Sequence, residues 1–139
     1  MKTDIITISA DVNCPRDQVW SLWTEPEHVT RWNFASDDWC CPSAENDLRV
    51  GGRYKARMEA KDGSFGFDFE AIYEEVSKPE KMVYTLEDGR KVSTTFEEKD
   101  GATTVTTEFD AEAENSVEMQ RNGWQAILNN FKAYAESQR

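Results

Sequence analysis

Three Asp-Gly pairs, Asp62-Gly63, Asp88-Gly89 and Asp100-Gly101, divide the middle of the chain into strand-length segments that alternate apolar and polar residues. Glycine takes up the positive φ that tight hairpin turns demand, so Asp-Gly between alternating segments is a strong hairpin signal. Tyr54, Ala56, Met58 and Ala60 form one face before the first turn, and Phe65, Phe67, Phe69, Ala71 and Tyr73 form the next. The same face continues in Met82, Tyr84 and Leu86, in Val92, Thr94 and Phe96, and in Thr103, Val105, Thr107 and Phe109. Lys78-Pro79-Glu80 reads as a further turn, and Ile6, Ile8, Ala10 and Val12 as a first strand with one buried face. The pattern predicts an antiparallel meander.

Helical signals flank it. Pro15 suits the first position of a helix whose apolar face is Val19, Trp20 and Trp23, with Asp17 complementing the dipole in the first turn. Thr24-Glu25-Pro26 restarts a second short helix carrying Val29 and Trp32. Residues 33–50 show no periodicity and are expected to form one long irregular loop, of the kind that is usually functional or mobile. Gly51-Gly52 closes that loop. A long helix is expected from about Ser116 to about Ala135, with Val117, Trp124, Ile127, Leu128, Phe131 and Ala135 in one stripe and Gln120 and Arg121 on the same stripe near its start. Gly123 mid-helix costs roughly 1 kcal/mol relative to alanine, which predicts a close approach of helix to sheet there. Residues 1–139 are read as one α+β domain: a curved antiparallel sheet around a long C-terminal helix, with two short helices after the first strand.

Composition narrows the partners. A formal net charge of -11 offers no basic footprint for nucleic acid or for an anionic membrane surface, and no segment is apolar enough to span a bilayer. The N-terminal residues hold no apolar run that resembles a signal peptide, so a cytoplasmic location with reduced thiols is expected. Cys14, Cys40 and Cys41, with the lone His28, lack metal-ligand spacing, and no metal or cofactor is expected. A monomer or weak homodimer is anticipated.

The order of elements resembles the helix-grip arrangement of the START-like superfamily. The stretch from Val19 to Glu27, Arg31-Trp32, the run from Asp47 to Tyr54, Gly123-Trp124 and the run from Ile127 to Phe131 resemble one branch in particular. That branch is named for the activator of the heat-shock-protein ATPase. The resemblance covers the chain from about Ile5 to about Tyr134. It implies a cavity between long helix and sheet, occupied in many relatives by hydrophobic small molecules; superfamily members include lipid-transfer modules and polyketide cyclases. The chain does not show the separate N-terminal domain of the eukaryotic co-chaperone, so a chaperone partner is not expected.

Face parity and the helix stripe then name a candidate ligand cavity: Trp32, Trp39, Tyr54, Met58, Phe67, Phe69, Tyr84, Thr94, Phe96, Thr107, Gln120, Trp124 and Leu128, roofed by residues 32–41. A volume of roughly 300–1,000 Å³ is expected of such a site. A cyclase or dehydratase would need an acid or base facing inward, and parity turns Asp68, Glu70 and Glu74 outward, so no catalytic residue is assigned. His28 reads as an exposed helix histidine beside Glu25 and Glu27. Asp37, Asp38 and Trp39, with Cys40-Cys41-Pro42, form either a lid over the ligand or a packed loop with a satellite core; a reactive thiol is the weaker reading, since no cation lies close in sequence. Gln120 points either at the cavity or past the sheet edge to solvent.

Overall fold

The computed structural model describes residues 4–112 and 114–138. Along the chain run β1 (Ile5–Val12), α1 (Arg16–Thr24), α2 (Pro26–Trp32), β2 (Trp39–Asn46), β3 (Arg53–Ala60), β4 (Gly66–Ser77), β5 (Lys81–Leu86), β6 (Lys91–Lys99), β7 (Ala102–Asp110) and α3 (Val117–Ser137). The strands form one seven-stranded sheet in the order β1-β7-β6-β5-β4-β3-β2, every neighbour antiparallel. This is an α+β helix-grip fold, with the first strand returning to pair with the last.

All three Asp-Gly pairs make hairpin turns, with Gly63, Gly89 and Gly101 at φ of 78°, 91° and 81°. At the tightest, Asp100 is also left-handed at 55° while Lys99 faces Ala102, as a two-residue turn with two positive φ values requires. Gly51 and Gly52 answer a different need. Backbone here bonds β4, Gly51 N–H donating to the Tyr73 carbonyl at 2.8 Å, and a Cβ on Gly52 would lie 2.0 Å from the Asp47 carbonyl oxygen.

Four expectations are corrected. Residues 33–50 are not one loop: β2 occupies Trp39–Asn46 as an edge strand against β3. Its register breaks between Cys40 and Ser43, around Pro42, and an edge strand with a bulge is where a sheet tolerates proline. The bulge erases the alternation that would have revealed the strand. Pro15 stands one residue before α1, its carbonyl accepting the first helical bond from Val19 N–H at 3.0 Å. The last helix runs to Ser137, two residues beyond the expected end, and Ser116 caps it by accepting from Met119 N–H at 3.1 Å. Finally, Gly123 has no close neighbour: an added Cβ would meet nothing within 4 Å.

The helices cover one face of the sheet. Their junction is a cluster of interlocked rings, with Phe131 of α3 edge-on to Trp23 at 4.8 Å and to Trp32 at 4.9 Å, and Phe96 of β6 edge-on to Trp20 at 5.4 Å. Trp20, Phe96 and Phe131 are each at most 1% exposed. This end of the interior is filled.

Candidate functional site

The other end is hollow. A cavity of about 190 Å³ lies between α3 and the sheet. Its walls are Ile8 of β1, Trp23 of α1, Trp32 of α2 with the following Asn33, Tyr54 and Met58 of β3, and Phe67, Phe69 and Tyr73 of β4. Met82 and Tyr84 of β5, Thr94 of β6, Thr107 of β7, and Trp124, Ile127 and Leu128 of α3 complete them. The strand residues are there because one face of each strand is buried and period-two geometry aims alternate side chains the same way. The α3 residues are there because positions three and four apart share a helix face. Phe67 lines the space yet is 41% exposed, so the cavity opens beside the β3–β4 hairpin.

Ten of the residues expected to converge do so: Trp32, Tyr54, Met58, Phe67, Phe69, Tyr84, Thr94, Thr107, Trp124 and Leu128. Three do not. Phe96 faces inward but lies under Trp20 and Trp23, in the filled end. Trp39 belongs to β2 and packs edge-on against Phe65 and Phe67 at 6.0 and 6.2 Å, outside the cavity wall. Gln120 is buried, but its amide is spent on the segment before α3: Oε1 accepts from Glu112 N–H at 2.8 Å and Nε2 donates to the Asn115 carbonyl at 2.8 Å. It neither enters the cavity nor meets solvent. The volume also falls below the expected range, because large rings occupy much of the interior; Trp124 lies flat on Phe109 with centroids 4.0 Å apart.

Lining residues that the sequence reading left out are Ile8, Trp23, Asn33, Tyr73, Met82 and Ile127. Ile8, Tyr73, Met82 and Ile127 share a face or stripe with residues that were named, so parity could have added them. Asn33 follows α2 in irregular backbone, where no periodicity points anywhere.

The loop readings resolve in favour of packing. Asp37 and Asp38 are exposed, and Cys41 is a buried residue of β2 itself. Burial pushes the Cys41 thiol up to about 11, only partly offset by a hydrogen bond with the Asn33 side chain, which makes it a poor nucleophile. His28 is half-buried, not exposed, with Nδ1 2.6 Å from the Tyr134 hydroxyl. It lies outside the cavity wall. Among the described residues, His28, Glu25 and Glu27 are the one group whose ligand atoms come within 4.8 Å of one another, as a cation would need. Both carboxylates are solvent-exposed and nothing else marks the place as a site.

Among the described residues, no Asp, Glu, His, Lys or Arg lines the cavity. The polar groups of its lining residues are hydroxyls, tryptophan indole N–H groups and one amide. The Thr94 and Thr107 hydroxyls are 2.9 Å apart and bond each other. The Tyr73 hydroxyl donates to Asn46 Oδ1 at 2.8 Å, while the Asn33 amide only approaches the Tyr54 hydroxyl, at 3.5 Å. Burial raises Tyr54, Tyr73 and Tyr84 above the ordinary tyrosine value, with neighbouring tyrosines adding to the effect on Tyr54 and Tyr84. They therefore stay neutral and act by hydrogen bonding, not by giving up a proton.

Known proteins share both fold and sequence. An AHSA1-like protein from Aeromonas hydrophila is 41% identical, the match covering 97% of this chain and 94% of that one with a TM-score of 0.91. A protein from Cytophaga hutchinsonii is 43% identical over 96% of this chain and 92% of its own, at a TM-score of 0.82. A protein from Chromobacterium violaceum shares the fold at a TM-score of 0.85 with only 21% identity, covering 96% of this chain and 98% of that one. No curated protein matches the chain. The sequence profile of the family described as Activator of Hsp90 ATPase homolog 1-like protein matches residues 13–136, and the chain belongs to that family.

Proposed function

We propose that the protein binds a small hydrophobic or aromatic molecule in the cavity between the sheet and α3. The observation that carries this reading is a space of about 190 Å³ kept open, and free of charged side chains, inside a domain of 139 residues. Native interiors are close-packed, and an unfilled apolar void costs stability, so a hollow of this size needs a reason. Apolar cavities near 150 Å³ stay dry and admit a molecule the size of benzene. The family's fold commonly binds hydrophobic ligands, which supports the same reading. The site residues are then the ten converging side chains above, with Trp23, Asn33, Tyr73 and Met82 beside them. The protein would work as a monomer or weak homodimer in the cytoplasm, without metal or cofactor.

Native mass spectrometry of freshly purified protein, paired with thermal melts in the presence of one-ring and two-ring hydrocarbons, tests this. A co-purifying small molecule, or a rise in melting temperature that follows ligand concentration, is expected. Absence of a retained ligand together with absence of stabilisation by either size of ring would overturn the reading.

A further inference from the structure

The polar groups in the cavity are not equally occupied. Tyr73 is committed to Asn46, and the Trp32 indole N–H donates to the Leu22 carbonyl at 3.0 Å. Tyr84 is only 9% exposed and lines the cavity, yet its hydroxyl has no hydrogen-bond partner among the described residues. No buried side-chain oxygen or nitrogen that lacks a partner is sealed against packed protein, so this hydroxyl borders open space. Tyr54, stacked against Tyr84 with ring planes 11° apart, has only the long 3.5 Å approach of Asn33. Protein interiors seldom leave such groups unpaired, because each carries a desolvation cost that a partner removes. Phenylalanine would fill the same volume without that cost.

We propose that the cavity selects a neutral one-ring aromatic compound carrying a single hydrogen-bonding group, a hydroxyl or carbonyl, which the Tyr84 and Tyr54 hydroxyls engage. This rests on the cavity-binding reading and adds the ligand's chemistry to it. The volume admits one ring and a short substituent. Phe69 and Trp124, edge-on to each other at 6.3 Å, contribute aromatic apolar lining for that ring. A carboxylate is rejected, because no Lys, Arg or His lines the space to offset its loss of water; an ammonium is rejected for want of a carboxylate. A site built to bond a hydroxyl discriminates strongly against the analogue that lacks it, since the protein groups are then left unpaired.

Titrations of the whole protein with 4-ethylphenol, ethylbenzene and 4-ethylbenzoate, followed by calorimetry or thermal melts, test the proposal. At neutral pH 4-ethylphenol is expected to bind about tenfold tighter than ethylbenzene, the equivalent of about 1.4 kcal/mol, and 4-ethylbenzoate not at all. Tyr84→Phe should abolish the phenol's advantage over ethylbenzene without lowering the melting temperature, since the hydroxyl it removes has no partner among the described residues of the free protein, and Tyr54→Phe should reduce the advantage less. Equal affinity for phenol and hydrocarbon, with no effect of Tyr84→Phe, overturns this proposal and leaves cavity binding standing. Binding of the benzoate at neutral pH as tight as that of the phenol overturns it too. If none of the three probes binds and no ligand co-purifies, the cavity-binding reading itself falls.

Discussion

Phe131 and Trp124 lie about two turns apart on one helix and meet different interiors. Phe131 is fully buried, with the rings of Trp23 and Trp32 within 5 Å and edge-on. Trp124 is half-buried, lies flat on Phe109 and borders the cavity. In the filled end, edge-to-face rings interlock, and two of them, Trp23 and Trp32, also bound the cavity. At the hollow end the rings around Phe69 stand apart, 6.1 Å from Tyr54, 6.2 Å from Tyr84 and 6.3 Å from Trp124. One generous aromatic supply thus does two jobs: it closes one end of the domain and walls a space at the other.

That contrast makes a sharp mutational test. Phe131→Ala removes a ring from the filled end and should cost about 3–5 kcal/mol of unfolding free energy, measured by denaturant titration. Trp124→Ala removes a larger ring, but one that is only half-buried, so it should cost less while weakening ligand binding. If the two losses are equal and the ligand is indifferent to Trp124, the two ends do not differ as described.

Alkaline pH should act first on β2, where Cys41 bonds the cavity-lining Asn33. The Cys41 thiol ionises at about 11 when folded against an ordinary value of 9.0. Below pH 9 both states hold the proton and stability is complete; between 9 and 11 the unfolded chain releases it while the folded protein retains it, so stability falls. The loss is on the order of 2 kcal/mol, and Tyr54, Tyr73 and Tyr84, also raised by burial, extend it above pH 10. Melts across pH 8–11 should show the decline, and Cys41→Ala should flatten its early part. A flat profile in the unmodified protein would show that these groups are not desolvated as described.

The Thr94–Thr107 pair sharpens the comparison further, as a polar contact on an apolar wall. Thr107→Val leaves the Thr94 hydroxyl without its partner and should destabilise by about 1–3 kcal/mol. The double change to valine removes both groups and should recover most of that loss. If the single and double variants lose the same amount, the hydroxyls are paired to something other than each other.

Much of this arrangement was legible in the sequence, for identifiable reasons. Asp-Gly turns and period-two alternation report backbone geometry and a single buried face, so six of the seven strands and the inward rows were readable. β2 was not, because Pro42 and the bulge beside it break the alternation while neighbouring β3 still supplies the pairing. Parity separates inside from outside but not filled from hollow. Phe96 and Phe69 alternate alike, yet only Phe69 reaches the cavity; what decides is which helix residue lies opposite, Trp20 and Trp23 for one and Trp124 for the other. Gln120 was misplaced for a similar reason. The helix stripe turned it inward correctly, but its partners, Glu112 and Asn115, sit in a connecting segment with no pattern of its own.

Gly123, next to Trp124 on α3, gives the smallest expected effect. A glycine beside Trp124 argued for helix and sheet in close contact, yet the space where its side chain would lie is open to 4 Å. Nothing in the packing therefore requires glycine, and its backbone is helical, without the positive φ that would favour it. Gly123→Ala should stabilise the protein by up to about 1 kcal/mol through the reduced backbone entropy of the unfolded chain. The same methyl group stands next to a cavity wall, so the effect on binding is the more informative reading. Unchanged ligand affinity with raised stability places Gly123 outside the hollow end, as the geometry has it. A loss of affinity at raised stability would mean that Trp124 shifts to admit ligand and needs a pliant neighbour to do so.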